Sequence, residues 1–74
     1  MKNFVGPRIK QIRTQVGPRV TQEELAARLQ VLGVDLDRSA LARIERQQRL
    51  ITDLEIMAIC DALGVGVNEL FTKP

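Results

Sequence analysis

Residues 37–46 read Asp-Arg-Ser-Ala-Leu-Ala-Arg-Ile-Glu-Arg, DRSALARIER in one-letter form. At about 100° per residue, with Arg38 at the origin, Ala42 falls at about 40°, Arg46 at about 80°, Ser39 at about 100° and Arg43 at about 140°. The opposite arc holds Ala40, Leu41 and Ile44, with Glu45 at its edge. One face is small, polar and cationic, and the other is apolar and able to pack. Asp37 supplies the short carboxylate that suits a helix N-cap. A helix of this kind fits the major groove of B-DNA. There, Arg pairs bidentately with guanine, Ser bonds several base edges, and an Ala methyl meets the thymine methyl. On the wheel alone, a solvated amphipathic surface helix accounts for the charged face equally well.

Working outward, the rest of the chain repeats apolar residues at helical rather than strand spacing. Ile9, Ile12 and Val16 share a stripe, with Pro7 suited to open that helix and Gly17 and Pro18 to end it. Thr21 and Glu24 have capping-box spacing, and Leu25, Leu29 and Leu32 then line one face up to Gly33. Thr52 and Glu55 form a second such box, ahead of Ile56, Ile59, Cys60 and Leu63, with Gly64 as the stop. Val67 to Phe71 forms a short last helix. The expected helices are about 7–16, 22–32, 38–47, 53–63 and 67–71. The fold class is all-α, a compact five-helix bundle in one domain over residues 1–74.

Glu45 lies beside a packing face, where an unpaired carboxylate is costly. Arg13 lies about 40° from Ile9 on the first helix, also beside a packing face. Either the two form a hydrogen-bonded ion pair that fixes the third helix against the first, or they are unrelated surface charges.

Composition narrows the partners. The net charge is +2 at pH 7, and eight of the eleven Lys and Arg residues are Arg. Arg makes planar bidentate bonds to phosphate and guanine, so the bias leans toward nucleic acid. Phe4 and Phe71 are the only aromatics, which disfavours the stacking platforms of single-strand binders. The chain has no His and one Cys. No internal disulfide and no zinc site can be assembled from these, and a small secreted scaffold would carry more cysteine. There is no signal peptide, and no apolar run approaches the ~20 residues of a membrane span. These features favour a soluble, cytoplasmic protein without metal or cofactor.

Taken together, TQEELAARL (21–29), DRSALARIER (37–46) and LEIMAICDALGVGVNELF (54–71) resemble the Cro/CI-type helix-turn-helix domain of bacterial and phage repressors. The likeness spans roughly residues 5 to 71, and its signatures occur in order. It implies a lambda repressor-like, XRE-like DNA-binding fold. It also implies base contacts from Arg38, Ser39 and Arg43, with Ala42 between them. Thr21 and Gln22 would meet a phosphate at the start of the second helix, where free N–H groups and the dipole favour anions, and Gln22 would also brace the third helix. Arg46, Gln48 and Arg49 would touch backbone phosphates. Lys10 and Arg19 are further phosphate candidates for which solvated surface charge is an equal explanation. The Arg13–Glu45 pair matches a structural ion pair of many relatives.

Two departures stand out. The segment QVLGVD (30–35) replaces a tight turn between the second and third helices, which leaves their relative angle open. Gln47 stands where relatives carry a Gly that ends the third helix. Without Gly a left-handed cap costs more, so the helix is expected to continue or to end differently.

The resulting expectation is a non-enzymatic, sequence-specific regulator of transcription, a repressor acting on double-stranded DNA. One recognition helix reads few base pairs, so a homodimer on a palindromic operator is the natural arrangement. The apolar candidates for the dimer contact are Leu54, Met57, Val67, Leu70 and Phe71, each of which also suits the core. No inducer site is expected in this length. The rival is a helical adaptor or antitoxin-like module that binds protein, with DNA binding secondary or absent. Asp35 and Asp37 read as turn and cap residues, and Cys60 as core rather than nucleophile.

Overall fold

The computed structural model describes residues 4–15 and 17–72. Its helices are α1 (Val5–Gln15), α2 (Gln22–Val31), α3 (Arg38–Glu45), α4 (Asp53–Leu63) and α5 (Val67–Leu70), and the described residues contain no strand. Val16, expected on the α1 stripe, lies outside the described residues.

The helix ends follow local chemistry, with several shifts from expectation. α1 begins at Val5, so Pro7 is its third residue rather than its first. The N–H groups of a first helical turn have no acceptor within the helix, so proline loses nothing there. Thr21 caps α2 by accepting the Glu24 N–H at 3.0 Å, and the Thr21 hydroxyl donates to the Glu24 carboxylate at 3.3 Å. Asp37 caps α3 by accepting the Ala40 N–H at 2.8 Å. At α4 the capping box is complete, with Glu55 N–H donating to Thr52 and Thr52 N–H to Glu55.

α2 stops at Val31, one residue short of the expected Leu32. The Gly33 N–H donates to the Gln30 carbonyl at 3.0 Å and the Val34 N–H to the Leu29 carbonyl at 2.9 Å. This is the pairing that closes a helix through a left-handed residue, and Gly33 has φ 81°. The turn carries Leu32 off the apolar face, leaving it 45% exposed. Leu36, 2% exposed, enters the core in its place, and Val34 packs beside it. The insertion between α2 and α3 is therefore pinned by its own apolar side chains.

α3 ends at Glu45 rather than at residue 47, by the same closure. The Gln47 N–H donates to Ile44 and the Gln48 N–H to Arg43, at 3.0 and 2.8 Å. Gln47 takes φ 62°. The expectation that Gln47 would avoid a left-handed end is thus overturned. The two closing hydrogen bonds, together with burial of Ile44, outweigh a conformational penalty of about 1–2 kcal/mol. α5 likewise stops at Leu70, one residue before Phe71.

α3 packs against α1 and α2, α4 against α2 and α5, and α5 against α1. Ile9, Leu25, Leu29, Leu41, Ile59 and Leu70 are fully buried where these helices meet. Each such side chain contributes about 1.5–3 kcal/mol by leaving water. Leu70, one of the expected dimer-contact residues, therefore belongs to the core. Cys60 is buried too, and burial, with Glu69 nearby, pushes its thiol pKa up. α1 and α3 approach so closely at Gly6 that a Cβ there would overlap the Ile44 carbonyl oxygen. That contact requires a residue without a side chain, and it seats α3 directly on the α1 backbone.

Candidate nucleic-acid interface

Exposure divides α3 as its helical wheel does. Ala40, Leu41, Ile44 and Glu45 are buried, Ala42 is half-buried, and Arg38, Ser39 and Arg43 are exposed. The apolar arc is held by the core, so the cationic arc is presented outward on a fixed helix rather than on a loop.

The hold on α3 is polar as well as apolar. The Arg13 guanidinium donates from Nε to Glu45 Oε2 and from Nη2 to Glu45 Oε1, both at 2.9 Å. Its Nη1 donates to the Val20 carbonyl at 3.0 Å. Gln22 Nε2 donates to Glu45 Oε1 at 3.0 Å. Arg13 and Glu45 are each 7% exposed, and among the described residues no buried side-chain polar atom lacks a partner. A planar two-bond fork fixes both position and orientation. The buried carboxylate at the end of α3 thereby joins α1 to the first residue of α2, and Arg13 adds the loop before α2 through Val20.

The phosphate candidates separate into distinct groups. Arg19, Thr21, Gln22 and Arg38 line an open groove between the end of α1 and the starts of α2 and α3. Lys10, Arg19, Arg46 and Gln48 are exposed. Arg49 is different. Its Nη1 and Nη2 donate to the two Glu55 oxygens at 3.0 and 2.9 Å, and Nη1 also donates to the Leu50 carbonyl at 2.8 Å. The Arg49 bond holds the Glu55 carboxyl below its ordinary pKa, and the Glu55 bond raises that of Arg49. With its charge paired and three of its five N–H groups engaged, Arg49 braces the loop between α3 and α4.

The helix-turn-helix family pattern matches residues 9–70. The chain belongs to the Cro/CI-type helix-turn-helix family. Within the solved structures it is similar to the restriction-modification controller protein C.AhdI from Aeromonas hydrophila. The two share 34% identity over 90% of this chain and 87% of the other, with a TM-score of 0.76. Among curated proteins there is no significant match. This helix-turn-helix chain is a DNA-binding transcriptional regulator. Among its described residues, no helix is long and apolar enough to cross a membrane.

Several contacts that shape this helix-turn-helix domain left no mark in the sequence pattern. Arg28 Nη1 donates to the Ala62 carbonyl at 3.0 Å, satisfying an acceptor in the last turn of α4 that has no helical donor. Arg8 Nε donates to the Glu69 carbonyl at 2.8 Å and ties α1 to α5. Glu23, which sequence reasoning passed over, lies 4.0 Å from Arg38. Pairs separated by 15 to 61 residues have no periodic signature, so only their three-dimensional proximity shows them.

Proposed function

We propose that this regulator binds a specific duplex sequence by laying α3 in the major groove, and acts as a repressor. Arg38, Ser39, Ala42 and Arg43 read base edges, while Thr21, Gln22, Lys10, Arg19, Arg46 and Gln48 meet phosphates. Arg49, although suggested by the family pattern, leaves this set because Glu55 occupies it. One observation carries the reading. α3 is clamped on its inner side by the buried Arg13–Glu45–Gln22 network while Arg38, Ser39 and Arg43 stay exposed on its outer side. Precise recognition needs just such a rigid reading element. Similarity to C.AhdI supports a controller role of the same kind.

A single α3 reads few base pairs, so the working unit is a homodimer on a palindromic operator. Leu54, Met57, Val67 and Phe71 are 76%, 60%, 43% and 51% exposed. Large exposed apolar residues on α4, on α5 and at its C-cap Phe71 suit an association surface, and these four are its proposed members.

Selection of bound sequences from a random duplex pool tests the function. A two-fold symmetric consensus, lost on combining Arg38→Ala with Arg43→Ala, is the expected outcome. Retention of no sequence above background would overturn sequence-specific binding, and full retention by the double variant would overturn the base-reading assignment.

A further inference from the structure

We propose that Glu23 positions Arg38 for base reading and makes that reading selective by lowering affinity for every other sequence. The inference rests on the base-reading role assigned to Arg38 above.

Glu23 is the second residue of α2, and Arg38 is the first residue of α3. Glu23 Oε1 lies 4.0 Å from Arg38 Nη1. The two side chains are 77% and 68% exposed, so in the free protein the contact contributes little. Docking changes the medium. Once the start of α3 enters a groove and water leaves, the same pair interacts more strongly. The guanidinium carries five donors in a rigid plane. Two of them suffice for the O6 and N7 of guanine, and the remaining edge is free to meet a carboxylate. As water leaves the groove, a carboxylate behind the fork holds its plane against the base edge.

The same charge opposes binding in general. Glu23 shares the Arg38 groove with Asp35 and Asp37. One Asp37 oxygen is taken by the Ala40 N–H, and Glu23 is the carboxylate in ion-pair range of Arg38. Arg38 also sits at the positive end of α3, where a cation is disfavoured and nearby carboxylates compensate. Carried toward phosphates, these carboxylates weaken association with any duplex. That loss is recovered where the base opposite Arg38 accepts its fork.

The test uses the full chain, a duplex taken from the selection above, and duplexes altered at each position. Affinities are measured at fixed salt for wild type, Glu23→Gln, Arg38→Ala and the double variant, with thermal melts alongside. Arg38→Ala is expected to abolish preference at one position of each half-site. Glu23→Gln is expected to bind unrelated duplexes more tightly and to lose about fivefold or more of the preference at that same position, the lower end of one Arg–guanine pair. In the Arg38→Ala background, Glu23→Gln is expected to leave preference unchanged. Uniform tightening with preference retained would reduce Glu23 to simple repulsion and overturn the positioning role, as would no change at all. If Arg38→Ala keeps every preference, the underlying base-reading assignment fails first. Because Glu23 is exposed, unchanged melts separate these outcomes from misfolding.

Discussion

Arg13 and Glu45, 32 residues apart, face each other through two parallel 2.9 Å hydrogen bonds in a nearly dry site between α1 and α3. Such a pair does not by itself add much stability relative to a well-packed apolar substitute, because both charges had to leave water. Its consequence here is geometric. Glu45 is the last residue of α3, and fixing it fixes the angle at which Arg38, Ser39 and Arg43 emerge.

Removing one partner strands the other. Glu45→Ala leaves the Arg13 charge buried and opens the Gln22 bond, and is expected to lower stability by about 3–5 kcal/mol. Urea unfolding followed by circular dichroism measures it. A loss below 1 kcal/mol would mean that Arg13 escapes to solvent without disturbing α3.

The left-handed residue that ends α3 offers a change in the opposite direction. Gln47→Gly relieves the positive φ, offset in part by the greater freedom of glycine in the unfolded chain. A net gain of roughly 0.5–1 kcal/mol is expected, raising Tm by a few degrees in a domain of this size. A fall in Tm would show that contacts of the Gln47 side chain outweigh the relieved strain.

Acid should weaken the loop between α3 and α4. The Arg49 hydrogen bond lowers the Glu55 pKa below its ordinary value in the folded protein. Protons then bind the unfolded chain more readily, so this contribution is fully present well above the ordinary carboxylate pKa and is lost as pH falls through the folded value. Comparing wild type with Glu55→Gln over that range isolates it. The two stability curves should converge on acidification, and parallel curves would assign the acid sensitivity to other carboxylates.

Base-reading and phosphate-binding arginines should differ in kind. Arg43→Ala is expected to cost about 1–3 kcal/mol on the selected duplex and to relax preference at one position. Arg46→Ala should weaken all duplexes alike and reduce the salt-dependence slope by about one. Anisotropy titrations at several salt concentrations distinguish them. Equal effects on slope and preference for both would erase the proposed division.

The proposed dimer contact on α4, α5 and Phe71 can be tested by a local charge. Met57→Glu places a charge on the proposed surface, whose other members Leu54, Val67 and Phe71 are also exposed in the single chain. Sedimentation equilibrium is expected to shift from dimer to monomer without loss of helicity. An unchanged mass would move the contact to another surface.

Much of the domain was legible because its signals are local. Asp37 and Thr52 cap the helices they precede, the 53–63 helix is bounded as its box and Gly64 require, and the two faces of α3 follow from a period of 3.6. The errors cluster where long-range packing outweighs local preference. Gln47 is driven left-handed by what surrounds the end of α3, and Leu70 is drawn inward where α5 meets α1 and α4. Leu32 yields its place to Leu36 because Gly33 turns the chain.

By itself the sequence determined the five helices to within a residue or two at each end, the N-caps Thr21, Asp37 and Thr52, and which arc of 38–46 is cationic, since each depends on neighbours within a few residues. It also supplied Arg13 and Glu45 as candidates, without deciding whether they meet. The tertiary structure alone decided that they do, that Gly6 lets α3 rest on α1, that Glu55 occupies Arg49, and that Glu23 stands beside Arg38. These are distances between residues remote along the chain, and they are set only when the core closes.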